Sequence, residues 1–125
     1  MNLNQITIPS VDVPRAVTFY QTLGLQLIVD ASPRYVRFLC PQGHSTLSIR
    51  QVEELPTGLG IKICFECEKI DQEVARLKAQ GISFTLDPTD QTWLWREAHL
   101  NDPDGNALIL FWAGENRVNP PWRAN

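Results

Sequence analysis

No run of lysine or arginine, no long apolar stretch and no even set of cysteines occurs in this chain of 125 residues. Without a basic run the chain lacks the electrostatic footprint needed to follow nucleic-acid phosphates. Its longest apolar stretches are strand-sized, too short for a helical membrane span. The opening MNLNQITIPS has neither the basic region nor the apolar core of a signal peptide and reads as a strand, so secretion is not expected. Cys40, Cys64 and Cys67 are an odd number, which suits reduced thiols in the cytoplasm better than a disulfide framework. A serine-nucleophile motif, a phosphate-binding glycine loop and a dinucleotide-binding fingerprint are also missing.

What is present is an ordinary globular composition, 43% hydrophobic and 20% charged, with a net charge of −3 carried by residues 58–125. A length of 125 residues allows one domain with a real core. The most informative feature is internal. Residues 6–28, ITIPSVDVPRAVTFYQTLGLQLI, and residues 63–85, ICFECEKIDQEVARLKAQGISFT, follow one plan at a constant offset of 57, without a gap over 23 positions. Each runs from an apolar strand through a polar turn into an amphipathic helix, then a glycine, Gly24 or Gly81, then a second apolar strand. A repeat of this length marks one supersecondary unit used twice.

Read in detail, residues 3–8 alternate as a half-buried strand that Pro9 and Ser10 are expected to end. Asp12 is placed to cap a helix over 14–23, with Pro14 in its first turn. Val17, Tyr20 and Leu23 form its inward stripe, with Ala16 and Phe19 beside it, and Gly24 terminates it. Strands are expected at 25–29, 34–40 and 45–52. The stretch 55–60, LPTGLG, is the linker. The second pass predicts a strand at 61–67, a helix over 70–79 with Ile70, Val74 and Leu77 inward, and strands at 82–86, 92–100 and 106–113. Asp102-Pro103-Asp104-Gly105-Asn106 is the turn before the last of these. The fold class is therefore α+β: two βαβββ modules, 3–52 and 59–114, forming a cupped mixed sheet within one domain of residues 1–125, followed by a tail over 115–125. Each helix covers one face of its sheet, and the other face needs a cover of its own.

The phrase VPRAVTFYQTLGL at 13–25, together with DPDGN at 102–106 before an apolar strand, resembles the vicinal oxygen chelate superfamily, across nearly the whole chain. That group includes glyoxalase I, extradiol dioxygenases, fosfomycin-resistance transferases and bleomycin-resistance proteins. The resemblance implies the fold but not the reaction. Its enzymes usually hold one divalent metal through side chains from the first and last strand of each module. On this sequence those positions fall on Gln5, Ser48 (with Leu47 as the alternative register), Lys62 and Ile109. The repeat offset relates Gln5 to Lys62 independently. Hard divalent ions take carboxylate or imidazole ligands. Here Gln5 offers a neutral oxygen, Ser48 a weak hydroxyl, Lys62 a cation and Ile109 nothing. The expectation is no metal, and no metal-dependent glyoxalase or dioxygenase activity.

Lys62 alternates with Cys64 and Glu66 on one strand face, opposite Ile63, Phe65 and Cys67. It either pairs with Glu66 or another acid, or binds a carboxylate, phosphate or enolate. Cys64 and Cys67 have zinc-like spacing but face opposite sides of a strand, with no second Cys/His pair, which favours ordinary thiols. His99 is suited to acid–base work, although a lone histidine is more often structural. His44 sits in a turn. Trp93 and Trp95 are expected on one strand face with Glu97 and His99. Arg37 shares a face with Tyr35 and Leu39, and Arg50 with Ser48. Aromatic and aliphatic groups with Gln5, Thr7, Arg37, Ser48, Lys62 and Glu66 suit a small-molecule pocket, and the same composition suits a dimer interface. Trp112 and Trp122 fit either a groove or a partner chain.

Three functions follow. One is metal-free binding of a small, partly aromatic or anionic molecule by a cytoplasmic homodimer with no cofactor. The second is a metal-independent lyase or isomerase in which Lys62 stabilises an oxyanion and Glu66 or His99 is the base. The third is a non-catalytic interaction module. No nucleic-acid or membrane partner is expected.

Overall fold

A computed structural model describes residues 1–58 and 60–124. The element order is β1 (Gln5–Ser10), α1 (Val13–Leu23), β2 (Gln26–Ala31), β3 (Tyr35–Leu39), β4 (Thr46–Gln51), β5 (Lys62–Glu66), α2 (Ile70–Ala79), β6 (Leu86–Asp90), β7 (Arg96–Asn101), β8 (Ala107–Trp112) and a short 3-10 turn at Gly114–Arg117. The expected βαβββ plan is present twice. The linker residue Leu59, where the second module was expected to begin, and Asn125 of the tail lie outside the described residues.

Each module forms a four-stranded mixed sheet. The first has the order β1-β4-β3-β2 and the second β5-β8-β7-β6. In each, the first strand pairs parallel with the last and the remaining pairs are antiparallel. Two compact units result: Met1–Gly60 with Asp102–Asn106, and Ile61–Asn101 with Ala107–Asn125. The DPDGN turn, read from sequence as part of the second module, therefore groups with the first.

In the first unit α1 starts where the Asp12 carboxylate accepts the Arg15 backbone N–H at 3.1 Å. Val13, Ala16, Tyr20 and Leu23 are its buried residues; the inward stripe starts at Val13, and Val17 and Phe19 flank it half-buried. The helix covers Val36, Phe38, Leu47 and Ile49, all buried. In the second unit α2 buries Ile70, Val74 and Leu77 beside Ala98, Leu100, Leu108 and Leu110. The helix ends keep the repeat offset. Gly24 and Gly81 have φ of 104° and 90°, and the next residues, Leu25 and Ile82, donate to the Tyr20 and Leu77 carbonyls at 3.0 and 3.1 Å.

Several expected boundaries move. Pro9 and Ser10 belong to β1 rather than ending it. β1 lies at the edge of its sheet, where a missing N–H costs no ladder bond. The strand expected at 82–86 lies instead at Leu86–Asp90, with Pro88 inside it and a register shift between Leu86 and Thr89. It too is an edge strand. Residues 92–95 are not strand. Gln91 donates to the Trp95 carbonyl at 2.7 Å, and Leu94 takes φ of 68°, closing a hairpin turn before β7. Trp93 therefore sits in a turn.

Candidate functional site

In the first unit the sheet face away from α1 carries Gln5 and Thr7 from β1, Tyr35 and Arg37 from β3, and Thr46, Ser48 and Arg50 from β4. The ladder aligns Gln5 with Thr46, Thr7 with Ser48, Arg37 with Ser48 and Tyr35 with Arg50. Cross-strand neighbours on one face come within side-chain reach, and a continuous polar network results. The Gln5 amide donates to Ser48 Oγ at 2.7 Å and to Thr7 Oγ1 at 3.4 Å. Ser48 Oγ lies 2.6 Å from the Tyr35 hydroxyl. Arg37 donates to that hydroxyl from Nε at 3.0 Å and Nη2 at 2.9 Å, and more weakly to Ser48 Oγ at 3.4 Å. Thr46 Oγ1 donates to the Gln5 side-chain oxygen. Ser48 is fully buried while Tyr35 and Arg37 are half-buried. Leu47, the alternative register, is buried on the opposite face, so Ser48 is the residue beside Gln5. A cleft of about 410 Å³ borders this face, lined in part by Thr7, Arg50 and Glu54.

In the second unit the corresponding face carries Lys62, Cys64 and Glu66 from β5, Glu97 and His99 from β7, and Ile109 and Phe111 from β8. Ile109, Phe111 and Ala113 form a buried apolar cluster with Trp95 against it, and the Trp95 and Phe111 rings stack at 4.3 Å. Glu97 is buried. Its carboxylate accepts the Trp93 indole N–H at 2.7 Å and meets His99 Nε2 at 2.8 Å. Trp93 reaches Glu97 from the hairpin turn and not along a shared strand face. The Lys62–Glu66 pairing does not form: Glu66 lies 3.9 Å from Arg117, and Lys62 is exposed without an ion pair among the described residues. Cys64 and Cys67 are free thiols. Burial pushes both upward in pKa, Cys67 to about 11, so they are protonated near neutral pH. A cavity of about 450 Å³ in this unit is lined by Leu94, Trp95, Arg96, Trp112 and Asn116 among others. Lys62 lines neither cavity.

The ladders show that Ser48 and Ile109 are equivalent. Gln5 faces Thr46 and Ser48 stands two residues on; Lys62 faces Ala107 and Ile109 stands two residues on. A family model described as the glyoxalase/bleomycin resistance protein/dioxygenase superfamily matches residues 2–110. The chain belongs to this superfamily. Among solved structures it is similar to a glyoxalase/bleomycin resistance protein/dioxygenase from Nocardioides, at 24% identity over 100% of this chain and 90% of that one, with a TM-score of 0.78. A superfamily member from Sphaerobacter thermophilus shares 26% identity over 90% and 97% of the two chains, TM-score 0.71. A lactoylglutathione lyase from Agrobacterium tumefaciens shares 18% over 89% and 92%, TM-score 0.75. No curated protein matches the chain.

The superfamily's metal does not suit the residues at these positions. The Gln5 amide and Ser48 hydroxyl are bonded to each other, the Ile109 side chain joins an apolar cluster, and Lys62 brings a positive charge. Among the described residues no three His, Cys, Asp or Glu side chains come together to hold an ion. Sequence reasoning placed Gln5, Thr7, Arg37 and Ser48 together, and one network joins them. It gave Tyr35, the phenol at the network's centre, only a place among the aromatic groups of that face, and it assigned no role to Glu97, the carboxylate between Trp93 and His99. Alternation put both on the right faces, but a hub is visible only when partners from other strands are aligned.

Proposed function

We propose that this protein is a metal-independent binding member of the superfamily that takes up a small, partly aromatic or anionic molecule on its polar sheet faces. The observation that carries the reading is the 2.7 Å hydrogen bond between Gln5 and Ser48. Two positions at which the resemblance implies metal ligands carry here a neutral pair bonded to each other, beside an arginine and a phenol. In the first unit half-buried Arg37 supplies positive charge for a carboxylate, phosphate or phenolate; in the second unit exposed Lys62 does so on a face that Trp95 and Phe111 make partly apolar. A cytoplasmic homodimer without cofactor, nucleic-acid or membrane partner belongs to the same reading. Three free cysteines agree with a reducing compartment, and among the described residues no helix is long and apolar enough to cross a membrane.

A native mass spectrum of the purified protein tests this directly, since it reports subunit number, metal and any retained molecule together. Stoichiometric zinc, nickel, iron or manganese overturns the metal-independent reading. Small carboxylates, phosphates and phenols are then screened by thermal shift against wild type and Lys62→Ala. A profile identical in the variant for every stabilising compound removes Lys62 from the site.

The Glu97–His99 contact favours a second reading, a metal-independent lyase or isomerase. A buried carboxylate that orients an imidazole is an arrangement used for proton transfer. In it His99 is the better base than Glu66, which is exposed and lies near Arg117. Lys62 would stabilise the oxyanion. Solvent deuterium incorporation into a bound carbonyl compound, lost in His99→Gln, distinguishes this from binding alone.

A further inference from the structure

We propose that Tyr35 is an acid–base residue, a phenol that passes its proton to and from a small O–H or C–H acid lying on the first module's sheet face, with Arg37 and Ser48 as positioning residues. The hydrogens available to the network decide which form of Tyr35 it accommodates. The Tyr35 oxygen receives two N–H groups of the Arg37 guanidinium, at 3.0 and 2.9 Å, and lies 2.6 Å from Ser48 Oγ. Ser48 Oγ in turn receives the Gln5 amide at 2.7 Å. A hydroxyl has one hydrogen to give and two lone pairs.

When Tyr35 is protonated, one of two awkward states must hold. If Tyr35 donates to Ser48, the Ser48 hydrogen has no acceptor among its bonded partners, and Ser48 is fully buried, beyond the reach of water. If Ser48 donates instead, the phenol oxygen accepts three hydrogens while keeping its own. When Tyr35 is ionised the count closes. Its oxygen accepts twice from Arg37 and once from Ser48, and Ser48 accepts from Gln5. Every hydrogen in the chain then has a place, and a full positive charge lies on the anion.

The surroundings agree. Directly across the ladder from Tyr35 stands Arg50 of β4 on one side and Ala31 of β2 on the other. Arg37 is flanked by Ser48 and Val29, and β1 presents Gln5, Thr7 and Pro9 to the same face. The charged side chains facing Tyr35 from these strands are thus the two arginines. Asp30, paired with Val36, stands on the opposite face, and Glu54 adds a carboxylate to the cleft that Arg50 also lines. The Ser48 hydrogen bond above all, joined by the Arg37 hydrogen bonds and charge, holds the Tyr35 phenol below its ordinary value against the opposing effect of burial. Tyr35 is half-buried and so reachable by a ligand.

The step balances without a co-reactant. The Tyr35 oxyanion forms an O–H bond with the ligand's acidic hydrogen, the ligand's O–H or C–H bond breaks, and its electron pair stays on the ligand as a phenolate or enolate. The reverse step returns the proton. Arg37 Nη1 has no protein acceptor among the described residues and remains able to meet the new anion.

This inference rests on the first module's face being the ligand site, but its test needs no ligand, so the two can fail separately. The chain has two tyrosines. Tyr20 is buried and donates to Asp102, which drives its ionisation upward. Tyrosinate absorbance of the folded full-length protein, followed on raising pH with circular dichroism to confirm folding, therefore reports Tyr35 alone. The expected result is one tyrosine's worth of signal with its midpoint below the ordinary value of about 10. Tyr35→Phe abolishes that step and Tyr20→Phe leaves it in place. Arg37→Met and Ser48→Ala, which keep both tyrosines, move it upward. A first step at or above the ordinary value, or one that ignores Arg37→Met and Ser48→Ala, overturns the proposal.

Discussion

The Tyr20 hydroxyl donates to Asp102 at 2.7 Å, joining the middle of α1 to a turn 82 residues later in the chain. Both residues are buried. The Asp102 carboxylate also accepts the backbone N–H groups of Asp104 and Asn106, at 2.9 and 2.8 Å, and the Asn106 side-chain amide at 2.8 Å. Four donors thus stabilise one carboxylate away from water. The two sequence phrases most typical of the superfamily, the helix ending FYQTLG and the turn DPDGN, meet in this one bond. Asp104 continues the contact by accepting the Val11 N–H at 2.9 Å and lying 3.4 Å from Arg15.

Tyr20→Phe should lower stability by about 2 kcal/mol, because it removes a donor to a buried charge while preserving the ring. Asp102→Ala should cost more, at least about 3 kcal/mol, since it leaves several buried donors unpaired. Urea unfolding of both variants checks the order. Equal small losses would show that the contact contributes little.

Alkaline pH should separate the two tyrosines. Tyr20 ionises with more difficulty in the folded chain than in the unfolded one, through burial first and then the Asp102 charge. Its contribution to stability is present below the ordinary phenol value and lost as pH rises above about 10. The Tyr35 shift has the opposite sign, so its contribution is absent below its folded-state value and grows as pH rises through it. Wild type should therefore unfold on strong alkalinisation with release of Tyr20 as tyrosinate. In Tyr20→Phe the loss of stability above that pH should be shallower, as measured by denaturant midpoints across the range.

Leu94 is the one non-glycine residue with positive φ among the described residues, at 68°, and it is exposed. A side chain there costs about 1–2 kcal/mol relative to glycine's freedom. Leu94→Gly should therefore raise the thermal midpoint, by an amount equivalent to about 1 kcal/mol once glycine's extra unfolded-state entropy is counted. A lower midpoint would mean that its apolar contacts beside Trp95 and Trp112 outweigh the backbone strain.

Trp93→Phe should destabilise by about 1–2 kcal/mol by leaving one oxygen of the buried Glu97 carboxylate without its indole donor. Combining it with Glu97→Gln should recover part of that loss, since the two side chains act on one bond. Strict additivity in the double-mutant cycle would show that the contact is not energetically coupled.

How far the chain could be read from its letters differs by element. The helices and their ends were legible: Asp12 before Pro14, apolar residues at helical spacing, and a glycine after each last turn act through neighbours a few residues away. The edge strands were not. Pro9 and Pro88 read as breakers, because sequence does not say that a strand lies at a sheet edge, where the missing N–H is harmless. Trp93 and Trp95 alternate with Glu97 as a strand would, and only the hairpin closed by Gln91 and Leu94 removes them from it.

The site divides along the same line. Alternation alone placed Gln5, Thr7, Arg37 and Ser48 on available faces, and residue chemistry alone marked the family's metal positions as ill-suited to an ion. Neither could join Tyr35 to Ser48 or free Lys62 from Glu66. Those outcomes depend on which strands lie side by side and in what register, and a shift of one residue would turn each side chain to the other face. Local spacing was enough to specify two βαβββ modules. The pairing of β3 with β4, and of β7 with β8, decided which polar groups became partners and which were left exposed.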